Sequence, residues 1–205
     1  ESRHLFMTQV RSTGSISNDK SDGRLLRSER SRRLIIESMI NLVDEGFLVP
    51  TAQQVAQRAD VGIRSVFRHF DDMDDIFETA NEIIFENVKS LFTGGNRTGV
   101  LEKRILHATE QLTSGYAVTK NFILSGKIRM WNTPVIRKNY LLNQKRLQKE
   151  LENWIPEITQ LDTINKQNAY AVASFDYWHR LREIQELPDG DCVLAISQQL
   201  KKILC

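Results

Sequence analysis

Arg64 and Arg68 stand four positions apart in the segment Ile63-Arg64-Ser65-Val66-Phe67-Arg68-His69-Phe70, a spacing that on a helix puts both guanidinium groups on one face. A guanidinium is a rigid fork of donors, and in a major groove it can give two parallel hydrogen bonds to O6 and N7 of one guanine. Val66 and Phe70 repeat the same spacing on another face and can pack inward with Val61. The segment therefore predicts a short rod with one buried side and one side that carries two forked donors. Ser65 and His69, with Thr51, Ala52 and Gln53 at the start of the preceding helix, suit phosphate oxygens instead. Ile63 and Phe67 on the same rod, and Arg30 and Arg33 upstream, complete the set of DNA-facing candidates. Two arginines on a helix are by themselves an ordinary solvated face; the pattern around them makes readout the better explanation.

That pattern is a scaffold of three helices. From Arg30 to Glu45 the apolar residues Leu34, Ile35, Met39, Leu42 and Val43 recur at three and four positions, which predicts a helix ending before Gly46. Gly46 suits the left-handed position that follows a helix. Thr51 is placed to cap a second helix, and Gln54 completes a capping-box spacing. That helix ends near Ala59. Asp60 tolerates a left-handed turn better than most residues with a side chain, and Gly62 can open the third helix over Ile63 to His69. Two short helices of about eight residues joined by a tight turn have the dimensions of a helix-turn-helix, whose second helix fits a major groove. Asp72 is the expected cap of a fourth helix reaching roughly Phe92.

Thr93-Gly94-Gly95-Asn96-Arg97-Thr98-Gly99 reads as the clearest internal linker. Beyond it, helical segments are expected near 100–118, 120–131, 134–153, 164–186 and 190–204, punctuated by Pro134, Pro156 and Pro188. No strand-like alternation occurs, so the expected class is all-α with about nine helices. The expected division is a mobile basic arm over 1–28, a helix-turn-helix domain over 29–72, and a larger helical sensing and dimerisation domain over 73–205. The six residues before Met7 are set aside from this reading.

A net charge of +2 is too small for wholesale coating of nucleic acid, so a basic surface has to arise by local segregation. Lys20, Arg24, Arg27, Arg30, Arg32 and Arg33 cluster before the first strong helix, and an acidic block runs from Asp71 to Glu86. The acidic run lacks the glycine and terminal glutamate of a calcium loop, and the histidines are scattered, so no metal and no cofactor is assigned. Cys192 and Cys205 make neither a disulfide framework nor a metal-ligand pair, which favours a reducing cytoplasm. No apolar run approaches the roughly 20 residues that cross a bilayer, and residues 1–23 lack the apolar centre of a secretion signal, so no membrane association is expected. No nucleophile motif, phosphate loop or dinucleotide fingerprint is present, which argues against an enzyme.

Over residues 33–77 the chain resembles the DNA-binding domain of TetR-type (tetracycline-repressor-like) transcriptional regulators. The resemblance is carried by Asp44-Glu45-Gly46-Phe47, Thr51-Ala52-Gln53-Gln54-Val55-Ala56, Ala59-Asp60-Val61-Gly62, Val66-Phe67-Arg68-His69-Phe70 and Ile76. Farther on, Pro134 opening a long helix and Ser174-Phe175-Asp176-Tyr177-Trp178 are similar to some members. The resemblance implies an Ω-shaped homodimer paired through its last two long helices, operator DNA as partner, and a small-molecule pocket whose filling relaxes DNA binding. Three positions depart from the family pattern: Asp60 stands for a turn glycine, Phe67 for a tyrosine whose hydroxyl bonds phosphate, and Met73 for a lysine. The basic arm is placed to replace the lost backbone grip by following phosphates or entering a minor groove.

Within the larger domain, Trp131, Tyr140 and Tyr177 are candidate ligand contacts. Tyr170, Phe175, Trp178, Val193, Ile196 and Leu200 recur at spacings suited to a helix–helix dimer interface. The expected function is a repressor released from its operator by a small molecule. The alternatives are the same dimer acting as an activator or through protein contacts, and an enzyme using the C-terminal cavity.

Overall fold

The computed structural model describes residues 20–205, with side chains from Gly23 onward. Among these residues there are nine α-helices and no strand: α1 (Lys20–Asp44), α2 (Ala52–Arg58), α3 (Ile63–His69), α4 (Met73–Thr93), α5 (Leu101–Arg129), α6 (Pro134–Trp154), α7 (Thr163–Val172), α8 (Phe175–His179) and α9 (Asp189–Leu204). A 3-10 turn over Pro156–Gln160 follows α6, and a π-helical turn over Arg180–Ile184 extends α8. The all-α class with an N-terminal helix-turn-helix and a larger helical remainder is thus as the apolar periodicity predicts. None of the described helices is long and apolar enough to cross a membrane.

Three boundaries differ from those expected. The mobile arm was expected to run to residue 28, but the chain is helical from Lys20; the part of that arm up to residue 19 lies outside the described residues. This extension has no buried apolar face: Leu25 and Leu26 are exposed, and side chains bond along the helix instead, Arg27 Nε donating to the Gly23 carbonyl at 2.9 Å and Ser31 Oγ to that of Arg27 at 3.0 Å. The separate segments 100–118 and 120–131 form one helix, α5, because the Thr119 hydroxyl donates to Gly115 within the helix at 2.8 Å instead of breaking it. The single helix expected over 164–186 is cut after Val172, where Ser174 accepts from the Tyr177 amide at 3.3 Å and starts α8 afresh.

The chain forms two compact units. The first comprises residues up to Asn87 with Asn121–Lys138. In it α1, α2 and α3 pack on one another around Ile35, Met39, Val43, Val55 and Val66, all fully buried. The end of α1 has carbonyls without helical partners, and the later half of α5 helps satisfy them and the following turn. Asn121 Nδ2 donates to the Asp44 carbonyl at 2.8 Å and Ser125 Oγ to that of Leu48 at 2.6 Å. Arg129, almost wholly buried, pairs with Asp74 at the start of α4 and lies 4.8 Å from the centre of the Phe77 ring. Asp72 caps α4 as expected, accepting from the amides of Asp74 and Asp75 at 2.8 and 2.9 Å.

The second unit comprises Val88–Lys120 with Asn139–Cys205. Its core holds an aromatic cluster: Tyr116, Phe175 and Trp178 are buried with ring centres 5.6–5.9 Å apart. The Tyr116 hydroxyl donates to the Ala173 carbonyl at 2.9 Å, which satisfies its one polar atom inside the core. Gly115 lets the Phe92 ring join Tyr116 with centres 5.8 Å apart, since a Cβ there would lie 2.4 Å from that ring. Arg104 joins the pieces by pairing with Glu157 and donating to the Trp154 carbonyl at 3.0 Å.

Candidate nucleic-acid interface

The helix-turn-helix is built from local rules. Gly46 takes the left-handed conformation at φ +100°, and its amide closes the end of α1 on the Val43 carbonyl at 3.0 Å. Thr51 and Gln54 form the capping box: the Gln54 amide donates to Thr51 Oγ1 at 3.2 Å and the Thr51 amide to Gln54 Oε1 at 2.8 Å. Asp60 holds the left-handed turn at φ 53° without a glycine, and the Val61 amide returns to the Ala56 carbonyl at 3.0 Å. Gly62 precedes α3 in extended conformation. Arg58 and Glu45 bridge α2 to the end of α1 through two parallel bonds of 2.7 Å.

On α3 the burial follows the helical period. Val66 and Phe70 are buried, Val61 is half-buried beside them, and Arg64 and Arg68 are exposed. Among the described residues neither arginine has an ion-pair or hydrogen-bond partner, so two guanidinium groups one turn apart are presented to solvent. Ile63 and Phe67 are exposed on the same side, Ser65 is half-buried, and Thr51 and Gln53 are exposed with Ala52 half-buried at the start of α2. The candidates on α2 and α3 are thus mostly exposed, on two helices of the first unit that pack on each other.

Two members of the expected set are compromised as phosphate contacts. Nε2 of His69 is buried and lacks a partner among the described residues, which leaves the other ring nitrogen as the one free to act. Burial, then the charges of Arg68 and Arg32, hold its imidazole below the usual histidine range and favour the neutral ring. Arg33 spends part of its charge on Glu37 at 3.5 Å in an exposed pair along α1, whereas Arg30 is exposed with no such partner among the described residues. Arg32 enters the site by a route that the spacing did not disclose: its guanidinium lies 4.9 Å from the centre of the Phe70 ring and fastens α1 to the end of α3. Only its place in the basic cluster hinted at it.

The second unit holds a cavity of about 250 Å³ between α5, α6 and α7. Tyr116, Gln144, Gln148, Leu151, Gln167 and Tyr170 are among its walls. None of the three expected ligand contacts is: Trp131 is 75% exposed and belongs to the first unit, while Tyr140 and Tyr177 are half-buried elsewhere in the second. Burial, aided by Asp176, pushes the Tyr140 phenol up to about 12. Gln144 and Gln148 are four apart on α6, a spacing that any amphipathic helix shows and that therefore gave no warning.

The expected dimer residues divide. Phe175, Trp178, Ile196 and Leu200 are buried within their own chain, so their spacing marks the core and they offer no surface to a partner. Tyr170 and Val193 are half-buried, and the Tyr170 hydroxyl is 2.5 Å from Glu152 Oε1. Periodicity alone cannot separate an intramolecular helix contact from an intermolecular one. Among the described residues no group of three or more histidine, cysteine, aspartate or glutamate side chains is arranged to hold a metal ion.

No protein-family model and no curated protein matches this sequence. The fold is similar to that of a transcriptional regulator from Rhodococcus sp. Rha1 of known crystal structure, with a TM-score of 0.63 at 16% identity over 86% of this chain and 95% of that one. The chain therefore has a fold found in a transcriptional regulator.

Proposed function

We propose that the protein is a sequence-specific DNA-binding regulator of the TetR type, acting as a homodimer that leaves its operator when a small molecule fills the larger unit. One observation carries this reading: Arg64 and Arg68 stand exposed, and without a partner among the described residues, on a seven-residue helix whose opposite side is anchored by Val66 and Phe70. A helix held from behind with forked donors in front matches a major-groove reader, and each donor pair addresses one guanine. Thr51, Gln53 and Arg30 supply phosphate contacts at its edges, and residues 29–72 act as the reading head. Ile184 and Leu194, 64% and 53% exposed, together with Val193, provide an apolar surface for the second copy in place of the buried residues. The cavity beside Tyr116 and Gln148 is the place for the effector. Residues of α4 and α5 belong to both units, which gives effector binding a covalent path to the head.

Selection of randomised duplexes by the purified protein tests the proposal. The expected product is a palindrome whose half-sites lie about 10 base pairs apart, or a multiple of that, with affinity falling steeply as salt rises. Recovery of the pool without enrichment contradicts it.

A further inference from the structure

The outward side of α3 is divided in two. At about 100° per residue, Ile63, Phe67, Arg64 and Arg68 succeed one another around the helix, and Val66 and Phe70 lie beyond Ile63 on the buried side. Ile63 is 47% exposed and Phe67 is 50% exposed. Single apolar residues on a surface need no explanation, but here two large ones sit one turn apart, immediately beside two exposed arginines, on the helix with the dimensions of a groove reader. Among the features that base pairs present in a major groove, the one bulky apolar group is the C5 methyl of thymine. We propose that Ile63 and Phe67 close on thymine methyl groups, so that each half-site carries thymines next to the guanines read by Arg64 and Arg68. The inference rests on the DNA-reading function proposed above. Charge selects the occupant: the guanidinium pair flanking the apolar strip complements a duplex, whose polyanionic backbone draws the strip into the groove. It also gives a use to Phe67, which has no hydroxyl for phosphate.

Replacing thymine by deoxyuridine removes the methyl and nothing else. In the duplex obtained by selection, each thymine is replaced in turn and affinity is measured for the wild type, Ile63→Ala and Phe67→Ala at fixed salt. The expected result is a loss of about fourfold at one or two positions per half-site, the worth of one buried methyl. Each alanine variant should bind the thymine and deoxyuridine duplexes alike at its own position while keeping its guanine preference. Both side chains are half-exposed, so unchanged melting curves are expected. The wild-type comparison stands even if a variant misfolds. Equal binding of both duplexes by the wild type, or discrimination that persists in both variants, overturns the thymine assignment and leaves DNA reading intact. Failure to select any site overturns both.

Discussion

Two short segments of this chain, Phe67-Arg68-His69-Phe70 and Phe175-Asp176-Tyr177-Trp178-His179, both combine aromatic rings with a histidine and meet opposite fates. In the second, Phe175 and Trp178 are buried against Tyr116, and the His179 ring stacks on Phe175 with centres 5.3 Å apart. In the first, Phe70 alone is buried and Phe67 stands half in water beside an exposed arginine. The difference lies in the neighbours. α8 is met by α7 and the π-helical turn, whereas α3 is held from one side by α1 and α2. The second segment stores stability, and the first presents chemistry. The two functions should therefore separate under mutation.

The largest effect should come from the aromatic core. Phe175→Ala leaves a hole beside Tyr116, Trp178 and His179 and should cost about 3–5 kcal/mol in urea unfolding, without changing the base preference of the protein that remains folded. A changed preference would break the separation. Next, Asp74→Ala strands the buried guanidinium of Arg129 and removes the acceptor of the Thr133 hydroxyl. Loss of one partner of such a pair should cost about 3 kcal/mol by the same measurement. Thr51→Ala dissolves the capping box at α2 and should cost about 1 kcal/mol, and hydrogen exchange should place that loss in the first unit.

The smallest contrast is one of pH. Tyr170 first, then Lys166 and Lys149, hold the Glu152 carboxyl down to about 2 against an ordinary 4.5. A depressed carboxylate contributes stability above its unfolded value, and that contribution fades as pH falls from 4.5 toward about 2. His69 is held below its ordinary 6.5, so the folded state resists its protonation and loses stability as pH falls from 6.5 toward its lowered value. The first unit should thus begin to weaken nearer neutrality than the second. Urea midpoints across pH 2–8 should show Glu152→Gln flattening the acid limb alone and His69→Gln the shallower limb near 6. Identical profiles for both variants would remove the contrast.

The legibility of the molecule follows the same divide. Within the head, each turn is decided by residues only a few positions apart, so Gly46, Thr51 with Gln54, Asp60, Gly62 and Asp72 announced their roles in the chain, and the period of Val66 and Phe70 located the exposed arginines. Beyond residue 93 the determinants are distant in sequence. That Phe175 meets Tyr116 rather than a second subunit, or that Gln144 and Gln167 share a cavity wall, depends on contacts between separate helices that no local spacing encodes. The same holds for Arg32 on Phe70, and for the single continuous α5, where the Thr119 side chain serves its own helix.

The most direct measurement is equilibrium binding of the selected duplex and of a random duplex, side by side, for the wild type and for the double variant Arg64→Ala with Arg68→Ala. Removal of two bidentate contacts should take about 1–3 kcal/mol per arginine from the selected duplex, closing most of its advantage over the random one while the melting curve stays in place. A double variant that melts like the wild type and still prefers the selected duplex as strongly would show that the exposed face of α3 is not what reads DNA.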